Sequence, residues 1–271
     1  MALKSERFSS QGRARLSAVL QTAKDLVTIE DAVKALGVGR PAATKLLARW
    51  KQQGWLKRVG PGLYAPIPLD ASTTAQVLKD PWVLVPALFT PCYVGGWTAA
   101  EHWNLTEQLF RSIFVFTTQS FRSKEQTVQG VSFMLKRIPE KALFGVKTLW
   151  RGQARVNISD KHRTIVDLLA SPEVGGGIRH VEHCLRNYLR DAEANTETLI
   201  SYAEKLGNGA VFKRLGFLTS HIPGNEPLVQ SCRQRLTQGN AKLDPSLPSR
   251  RLVKAWHLWI PETWEPEARR D

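Results

Sequence analysis

The stretch that decides the fold covers residues 27–65 and reads VTIEDAVKALGVGRPAATKLLARWKQQGWLKRVGPGLYA. Near its start, Thr28 can cap a helix, and two carboxylates follow in the first turn, where the positive helix end favours them. Apolar residues at helical spacing lead to Gly37, a typical helix end. A second helix is predicted from Pro41, which needs no backbone donor in a first turn, to Gly54.

A hairpin is predicted directly after the second helix. Residues 55–59 alternate like a strand, 60–62 form a Gly-Pro-Gly turn signal, and 63–65 read as the return strand. Two short helices joined by a glycine-containing turn and followed by a hairpin are typical of a winged helix-turn-helix, which places its second helix in the DNA major groove. We call that helix the recognition helix and residues 55–65 the wing.

The flanking segments complete a small domain. An apolar stripe over residues 10–26 predicts a third helix behind the pair, and closely spaced prolines over residues 66–70 mark a boundary. We therefore predict a DNA-binding domain over residues 1–68 and a second domain over 69–271.

The charge of the chain is concentrated in this first domain. The protein has 38 Lys and Arg against 24 Asp and Glu, a formal net charge of +14. Residues 1–68 hold 12 of the basic and 4 of the acidic residues, which is a balance of +8. A basic excess of this kind favours a polyanionic partner.

Eight residues are predicted to contact DNA. The first residues of a recognition helix reach base edges, whereas later lysines and arginines and those of the wing bind phosphates. The predicted base-side residues are Arg40, Pro41, Thr44 and Lys45, and the predicted phosphate contacts are Arg49, Lys51, Lys57 and Arg58. The alternative interpretations are solvated charges on a helical hairpin without function, and a small three-helix module that binds another protein.

The remaining sequence mixes strand and helix patterns. Strands are predicted over residues 112–118, 130–138, 146–150, 154–158 and 252–260, and helices over 75–78, 83–88, 160–170, 178–190, 196–205, 208–219 and 228–238. Alternating apolar residues in the strands indicate a sheet with one buried face. The predicted fold class is α+β: an N-terminal winged helix-turn-helix plus a larger C-terminal α/β domain with a mainly antiparallel sheet and several helices.

Cysteine usage and hydropathy indicate the compartment. Three widely spaced cysteines, Cys92, Cys184 and Cys232, argue against a disulfide framework and for a reducing cytosol. The N-terminus lacks the apolar core of a signal peptide, and no window of about 18 apolar residues predicts a membrane span. A cytoplasmic protein without a membrane partner is expected.

Two groups of polar residues have a spacing that could serve a catalytic or metal site. A helix would place Asp160, Arg163 and Asp167 on neighbouring turns, so that Arg163 can bridge both carboxylates in a helix-pinning ion network. His180 and Cys184 are one turn apart, but zinc needs three or four ligands and no second pair follows. We expect no catalytic residues, no metal and no cofactor.

Two further features have a functional and a structural interpretation. Gly95 and Gly96 precede a helix and either bind phosphate or allow close packing under aromatic rings. A second set of basic residues either forms a second nucleic-acid-binding face or is merely solvated: Lys205, Lys213, Arg214, Arg233, Arg235, Arg250, Arg251 and Lys254.

A resemblance adds to this interpretation. Its blocks are YVGGWTAAEHWNLTE at 93–107, the strand at 113–117, DKHRTIVDLL at 160–169, RLGFL at 214–218 and the last strand around Trp256. In this order they resemble the AbiEi family, the antitoxin half of bacterial AbiE (type IV) toxin–antitoxin pairs. Family patterns often place an acidic residue after the fourth block, where this chain has Thr219, Ser220 and His221.

The resemblance implies a regulatory function. Members look like autorepressors whose winged helix binds inverted repeats in their own promoter, and whose C-terminal domain opposes a toxin that resembles a nucleotidyltransferase. A stable complex with the toxin is not implied. We therefore expect a sequence-specific autorepressor and antitoxin. The alternatives are a nuclease or nucleotidyltransferase tethered by the winged helix, with Asp160 and Asp167 as its metal pair, and a protein that captures a partner.

Overall fold

The computed structural model of the chain describes residues 10–23, 26–67 and 80–265. The helix predicted over residues 75–78 lies outside this part, as does most of the proline-rich boundary. The chain divides into two compact units, the first comprising Met1–Thr90, Glu125–Phe133 and Leu149–Val156, and the second Pro91–Lys124, Met134–Thr148 and Asn157–Asp271. The boundary that we predicted at residue 68 stays a prediction.

The first unit opens with three helices and a small sheet. The elements are α1 (Ser10–Thr22), β1 (Val27–Thr28), α2 (Ile29–Leu36), α3 (Arg40–Gln52), β2 (Leu56–Gly60) and β3 (Leu63–Pro66). The strands are ordered β1-β3-β2, and both pairs are antiparallel. The prediction that one helix continues to residue 26 is wrong, because Val27 and Thr28 pair with Tyr64 and Leu63 of the wing.

Local signals set the ends of α2 and α3 as predicted. The Thr28 hydroxyl accepts a hydrogen bond from the Asp31 amide at 3.1 Å, and the Asp31 carboxylate accepts one from the Thr28 amide at 2.8 Å. This reciprocal capping box satisfies two donors that a helix start would otherwise leave free. Gly37, at φ 63°, and Gly54, at φ 76°, adopt the left-handed backbone that suits glycine after each helix.

The apolar faces of these elements form one core. Val19 of α1, Ala32 of α2 and Leu47 of α3 are completely buried, and Trp50 and Tyr64 pack in the same cluster. Burying such side chains contributes roughly 1.5–3 kcal/mol each, and this holds α3 against the other two helices. The same unit also contains α4 (Leu84–Phe89), which follows a single 3-10 turn at Pro81–Val83.

A six-stranded sheet with one helix along its course follows. Its elements are β4 (Cys92–Val94), α5 (Gly96–His102), β5 (Ser112–Thr117), β6 (Glu125–Val128), β7 (Val131–Arg137), β8 (Val146–Arg151) and β9 (Ala154–Ser159). The strand order is β6-β7-β5-β4-β9-β8. β4 pairs antiparallel with β5 and parallel with β9. The strands β4 and β6 were not predicted, because each is only three or four residues long.

The second unit also contains five helices and a three-stranded sheet. They are α6 (Lys161–Ala170), α7 (Ile178–Arg190), α8 (Thr196–Leu206), α9 (Gly209–Thr219), α10 (Glu226–Arg233), β10 (Ala241–Lys242), β11 (Arg251–Val253) and β12 (Leu258–Ile260). The prediction of one strand over residues 252–260 is wrong, because β11 and β12 pair antiparallel about a 3-10 turn at Lys254–Trp256. The α+β class is confirmed.

Close packing accounts for the glycine pair before α5. A Cβ built on Gly95 would lie 2.6 Å from the Phe116 ring, and one on Gly96 would lie 2.5 Å from the Val174 carbonyl oxygen. Any side chain would therefore displace the aromatic core. The contacts support the packing interpretation of Gly95 and Gly96 over phosphate binding.

Candidate nucleic-acid interface

The recognition helix presents a polar face opposite its buried one. Ala43, Leu47 and Trp50 of α3 are buried at 0–2% exposure. The predicted contacts on the other face are all exposed: Arg40, Pro41, Thr44, Lys45, Arg49 and Lys51. The first unit thus holds α3 by its apolar side and leaves the side chains that can reach a DNA groove in solvent.

The start of α3 carries an ion pair that crosses to α2. The Arg40 guanidinium donates to the Glu30 carboxylate, and both side chains are about two-thirds exposed, at 68% and 65%. A backbone hydrogen bond, and after it Arg40, lowers the pKa of Glu30. Because the pair lies in solvent, Arg40 can exchange this carboxylate for a DNA acceptor at small cost. The neighbouring Thr44 hydroxyl donates to the Arg40 carbonyl at 2.9 Å.

Lys45 differs from these two neighbours. It lies in the second turn of α3 and is exposed. Within residues 10–23, 26–67 and 80–265 its ammonium group has no hydrogen-bond or ion-pair partner. A lysine of this kind can donate to guanine acceptors without first breaking a contact.

The end of α3 and the wing enclose a basic groove of 620 Å³. Three of the predicted phosphate contacts, Lys51, Lys57 and Arg58, line it beside the backbone of Gly54 and Gly60. The Arg58 guanidinium donates to the Gly60 carbonyl at 3.1 Å, so this side chain lies along the wing. We call this the wing groove. Cations of this kind are the groups that usually contact a DNA phosphate backbone.

Two features of the first unit were missed from the sequence. The Gln129 side-chain amide donates to the Arg58 carbonyl at 2.9 Å, across 71 residues of sequence. Trp150 is 63% exposed, and the Arg155 guanidinium lies 5.0 Å from the centre of its ring. An exposed Trp-Arg pair is a surface on which a base can stack. Nothing in the sequence around Gln129 indicates its contact with Arg58. The Trp-Arg pair could have been predicted, because Trp150 and Arg155 lie on two predicted adjacent strands.

For two of the C-terminal basic residues, neither the nucleic-acid-binding nor the solvated interpretation holds. Lys213 and Arg214 of α9 are 3% and 4% exposed. Lys213 donates to the Gly239 carbonyl at 2.7 Å, and Arg214 donates to the carbonyls of Leu169 and Lys242 at 2.7 and 2.8 Å. Burial lowers the pKa of both cations. These side chains satisfy backbone carbonyls inside the unit and cannot contact DNA.

The predicted ion network of α6 exists with different partners. Arg163 donates through Nε to Asp167 and through Nη2 to the Tyr93 hydroxyl, both at 3.0 Å. Tyr93 in turn donates to Asp167 at 3.0 Å. Asp160 instead caps the helix, accepting from the Arg163 amide at 2.7 Å and the Tyr202 hydroxyl at 3.0 Å. The prediction that Arg163 bridges both carboxylates is therefore wrong.

The separation of the two carboxylates bears on the enzyme alternative. The Asp160 carboxylate caps α6, and the Asp167 carboxylate accepts hydrogen bonds from the buried Arg163 and Tyr93. In the part of the chain that the structure describes, no group of three or more His, Cys, Asp or Glu side chains could hold a metal ion. Cys184 is completely buried, with its sulfur 3.8 Å from the His180 ring.

Among the described helices, none is long and apolar enough to cross a membrane.

The three-helix core, the wing and the exposed cationic face define the described residues up to 67 as a winged helix-turn-helix. A family model described as "Transcriptional regulator, AbiEi antitoxin" matches residues 15–67 and confirms the predicted resemblance over this segment. The C-terminal blocks that suggested the resemblance lie outside the matched residues. The segment is thus similar to transcriptional regulators of the AbiEi antitoxin type.

One solved structure is similar over most of the chain. The crystal structure of the RV2827C protein from Mycobacterium tuberculosis has a TM-score of 0.64 and 15% identity, and the match covers 94% of this chain and 93% of that one. At this identity the likeness shows a shared fold alone. No curated protein matches the sequence.

Proposed function

We propose that the protein is a sequence-specific DNA-binding autorepressor and the antitoxin of a toxin–antitoxin pair. The observation that carries this proposal is the exposed polar face of α3, which continues into the basic wing groove. Residues 1–68 would bind the operator, and residues 69–271 would act against a toxin that resembles a nucleotidyltransferase. The family match supports a regulator, and we assign the protein to the cytoplasm.

The geometry suggests how the two sets of contacts divide. The N-terminal end of α3 enters the major groove, where Arg40, Thr44 and Lys45 approach base edges and Pro41 packs against the groove wall. Arg49 and the three cations of the wing groove bind phosphates on either side. Double-stranded DNA of the protein's own promoter, with inverted repeats, is the expected ligand.

A DNA-binding titration tests this function. The purified full chain is titrated against duplexes from the region upstream of its own gene and against scrambled duplexes of equal length and composition, at physiological salt. We expect tighter binding to the upstream DNA, because base contacts add to the phosphate contacts that both duplexes share. Equal affinity for the two duplexes would exclude a sequence-specific repressor.

The wing groove has a separate prediction. Replacing Lys57 with alanine is expected to weaken binding to all duplexes about equally and to reduce the slope of log K against log salt by about one unit. The reason is that a lost phosphate contact releases one counterion fewer. The measurement is a binding series over several salt concentrations.

The matched control for this series is Lys34→Ala, which removes the same charge from the exposed end of α2. Its slope should equal that of the unmodified protein. A slope for Lys57→Ala that matches the control would show that the wing does not contact the DNA backbone.

A further inference from the structure

The second unit contains a basic cavity that the DNA-binding proposal does not use. It has a volume of 240 Å³ and lies among β5, the segment after β7, α6 and α8. Four cations line it, Lys136, Lys141, Arg163 and Lys205, together with one carboxylate, Asp167. We call it the α6 cavity. Asp167 already accepts from Arg163 and Tyr93, and Lys136 is paired with Glu173, so the positive charges of Lys141 and Lys205 are left over.

Arg163 lines the α6 cavity and carries a buried donor without an acceptor among the residues that the structure describes. Its side chain is only 1% exposed, and its Nη1 is buried with no hydrogen-bond partner in the described residues. The other two guanidinium nitrogens are used by Asp167 and Tyr93, and the group stacks 4.1 Å from the centre of the Phe144 ring. A buried charged donor without an acceptor is unfavourable, and an oxyanion in the cavity would supply one.

The three lysines differ in how far they are already engaged. Lys136 contacts the Ser171 hydroxyl and is 2.8 Å from the Glu173 carboxylate. Lys205 is exposed and lies 4.4 Å from the centre of the Phe144 ring, the ring that also stacks on Arg163. Lys141 is exposed and forms no ion pair in the described part of the chain. Lys141 and Lys205 are therefore the two lysines of the cavity whose ammonium groups are not engaged in an ion pair with any described residue and can contact a bound anion.

We propose that the α6 cavity binds a phosphate group, either free or as a small phosphate monoester. A phosphate near pH 7 carries close to two negative charges and three strong acceptor oxygens, which suits several cations better than a carboxylate does. A volume of 240 Å³ is large enough for a phosphate with a small attached group.

Calorimetric titration of the full chain with inorganic phosphate, ribose 5-phosphate and ribose tests the proposal at low ionic strength. Both phosphate compounds are expected to bind saturably and ribose is not. A lower Kd for ribose 5-phosphate than for inorganic phosphate would assign the cavity to a monoester, and an equal Kd would assign it to the free ion.

Lysine variants localise the binding. Lys141→Gln and Lys205→Gln are each expected to raise the Kd about tenfold, the usual scale for losing a charged hydrogen bond. Both side chains are exposed, so folding should be unaffected. The control is Lys242→Gln, an exposed lysine outside the cavity, with a Kd within about twofold of the unmodified protein. The absence of saturable binding, or a Kd that none of the variants changes, would overturn the proposal.

Discussion

Replacing Arg163 with alanine is expected to lower the free energy of unfolding by about 3–5 kcal/mol, the usual loss when one partner of a buried ion pair is removed. The substitution leaves the Asp167 carboxylate buried at 4% exposure, with the Tyr93 hydroxyl as its remaining donor. It also removes the cation that stacks on Phe144. Urea unfolding at pH 7, followed by far-ultraviolet circular dichroism and tryptophan fluorescence, measures the change.

The free energy of unfolding that is lost in the Arg163→Ala variant should increase with pH. Burial raises the pKa of Asp167 to about 6, against the opposing effects of Arg163 and Tyr93. The folded chain therefore binds this proton more tightly than the unfolded chain, so Asp167 lowers stability as pH rises from about 4 through 6. Without Arg163 the pKa rises further. The loss in the Arg163→Ala variant should consequently be smaller at pH 5 than at pH 8.

Two further variants test whether the loss of stability comes from the buried network around Arg163. Arg235→Ala removes a partner of the exposed Glu204, 2.6 Å away, and should cost only about 0–1 kcal/mol. A triple variant, Tyr93→Phe with Arg163→Met and Asp167→Leu, replaces the whole network by apolar groups and should recover much of the stability lost in Arg163→Ala. A loss for Arg163→Ala no larger than that for Arg235→Ala would mean that the network does not stabilise the unit.

The parts of the fold that were predictable depend on local contacts. Thr28 and Asp31 are three residues apart, and their capping box needs nothing from the rest of the chain. The same holds for Gly37 and Gly54, whose positive φ values follow directly from the ends of α2 and α3. The polar face of α3 was also predictable, since helical periodicity separates it from Ala43, Leu47 and Trp50.

The parts that were not predictable depend on distant partners. The sequence alone does not distinguish Arg214 from a surface cation, because its acceptor, the Lys242 carbonyl, lies 28 residues further along the chain. Helical spacing predicts that Arg163 bridges Asp160 and Asp167, but its second partner is the Tyr93 hydroxyl, 70 residues away. Periodicity within one element cannot reveal either contact, because tertiary packing decides which long side chains are drawn inward.

The same distinction applies to the proposed DNA contacts. The exposure of Arg40 was predictable, but its ion pair with Glu30 on α2 depends on how the two helices pack. The groove that joins Lys51 to Lys57 and Arg58 likewise exists only because β2 returns beside the end of α3. The structure thus shows which of the proposed DNA-contacting side chains already have partners within the protein, which the sequence alone does not show.

Replacing Lys45 with alanine is expected to weaken binding to the operator by about 1–3 kcal/mol, or roughly 5- to 150-fold, and to relax sequence choice at one base position. Lys45 is the best candidate for this effect because Arg40 is paired with Glu30 and the Thr44 hydroxyl donates to the helix backbone. Titration with operator DNA, single-base operator variants and scrambled DNA at one salt concentration measures it.

Lys51→Ala provides the matched comparison, since it removes the same charge from the same helix at the wing groove. It should weaken operator and scrambled DNA alike and leave their affinity ratio unchanged, as expected for a phosphate contact. Lys45→Ala should instead reduce that ratio. If both variants lower the two affinities equally, Lys45 binds phosphate and the recognition helix reads bases through other side chains. If Lys45→Ala changes neither affinity, Lys45 does not contact DNA and the proposed base contact is wrong.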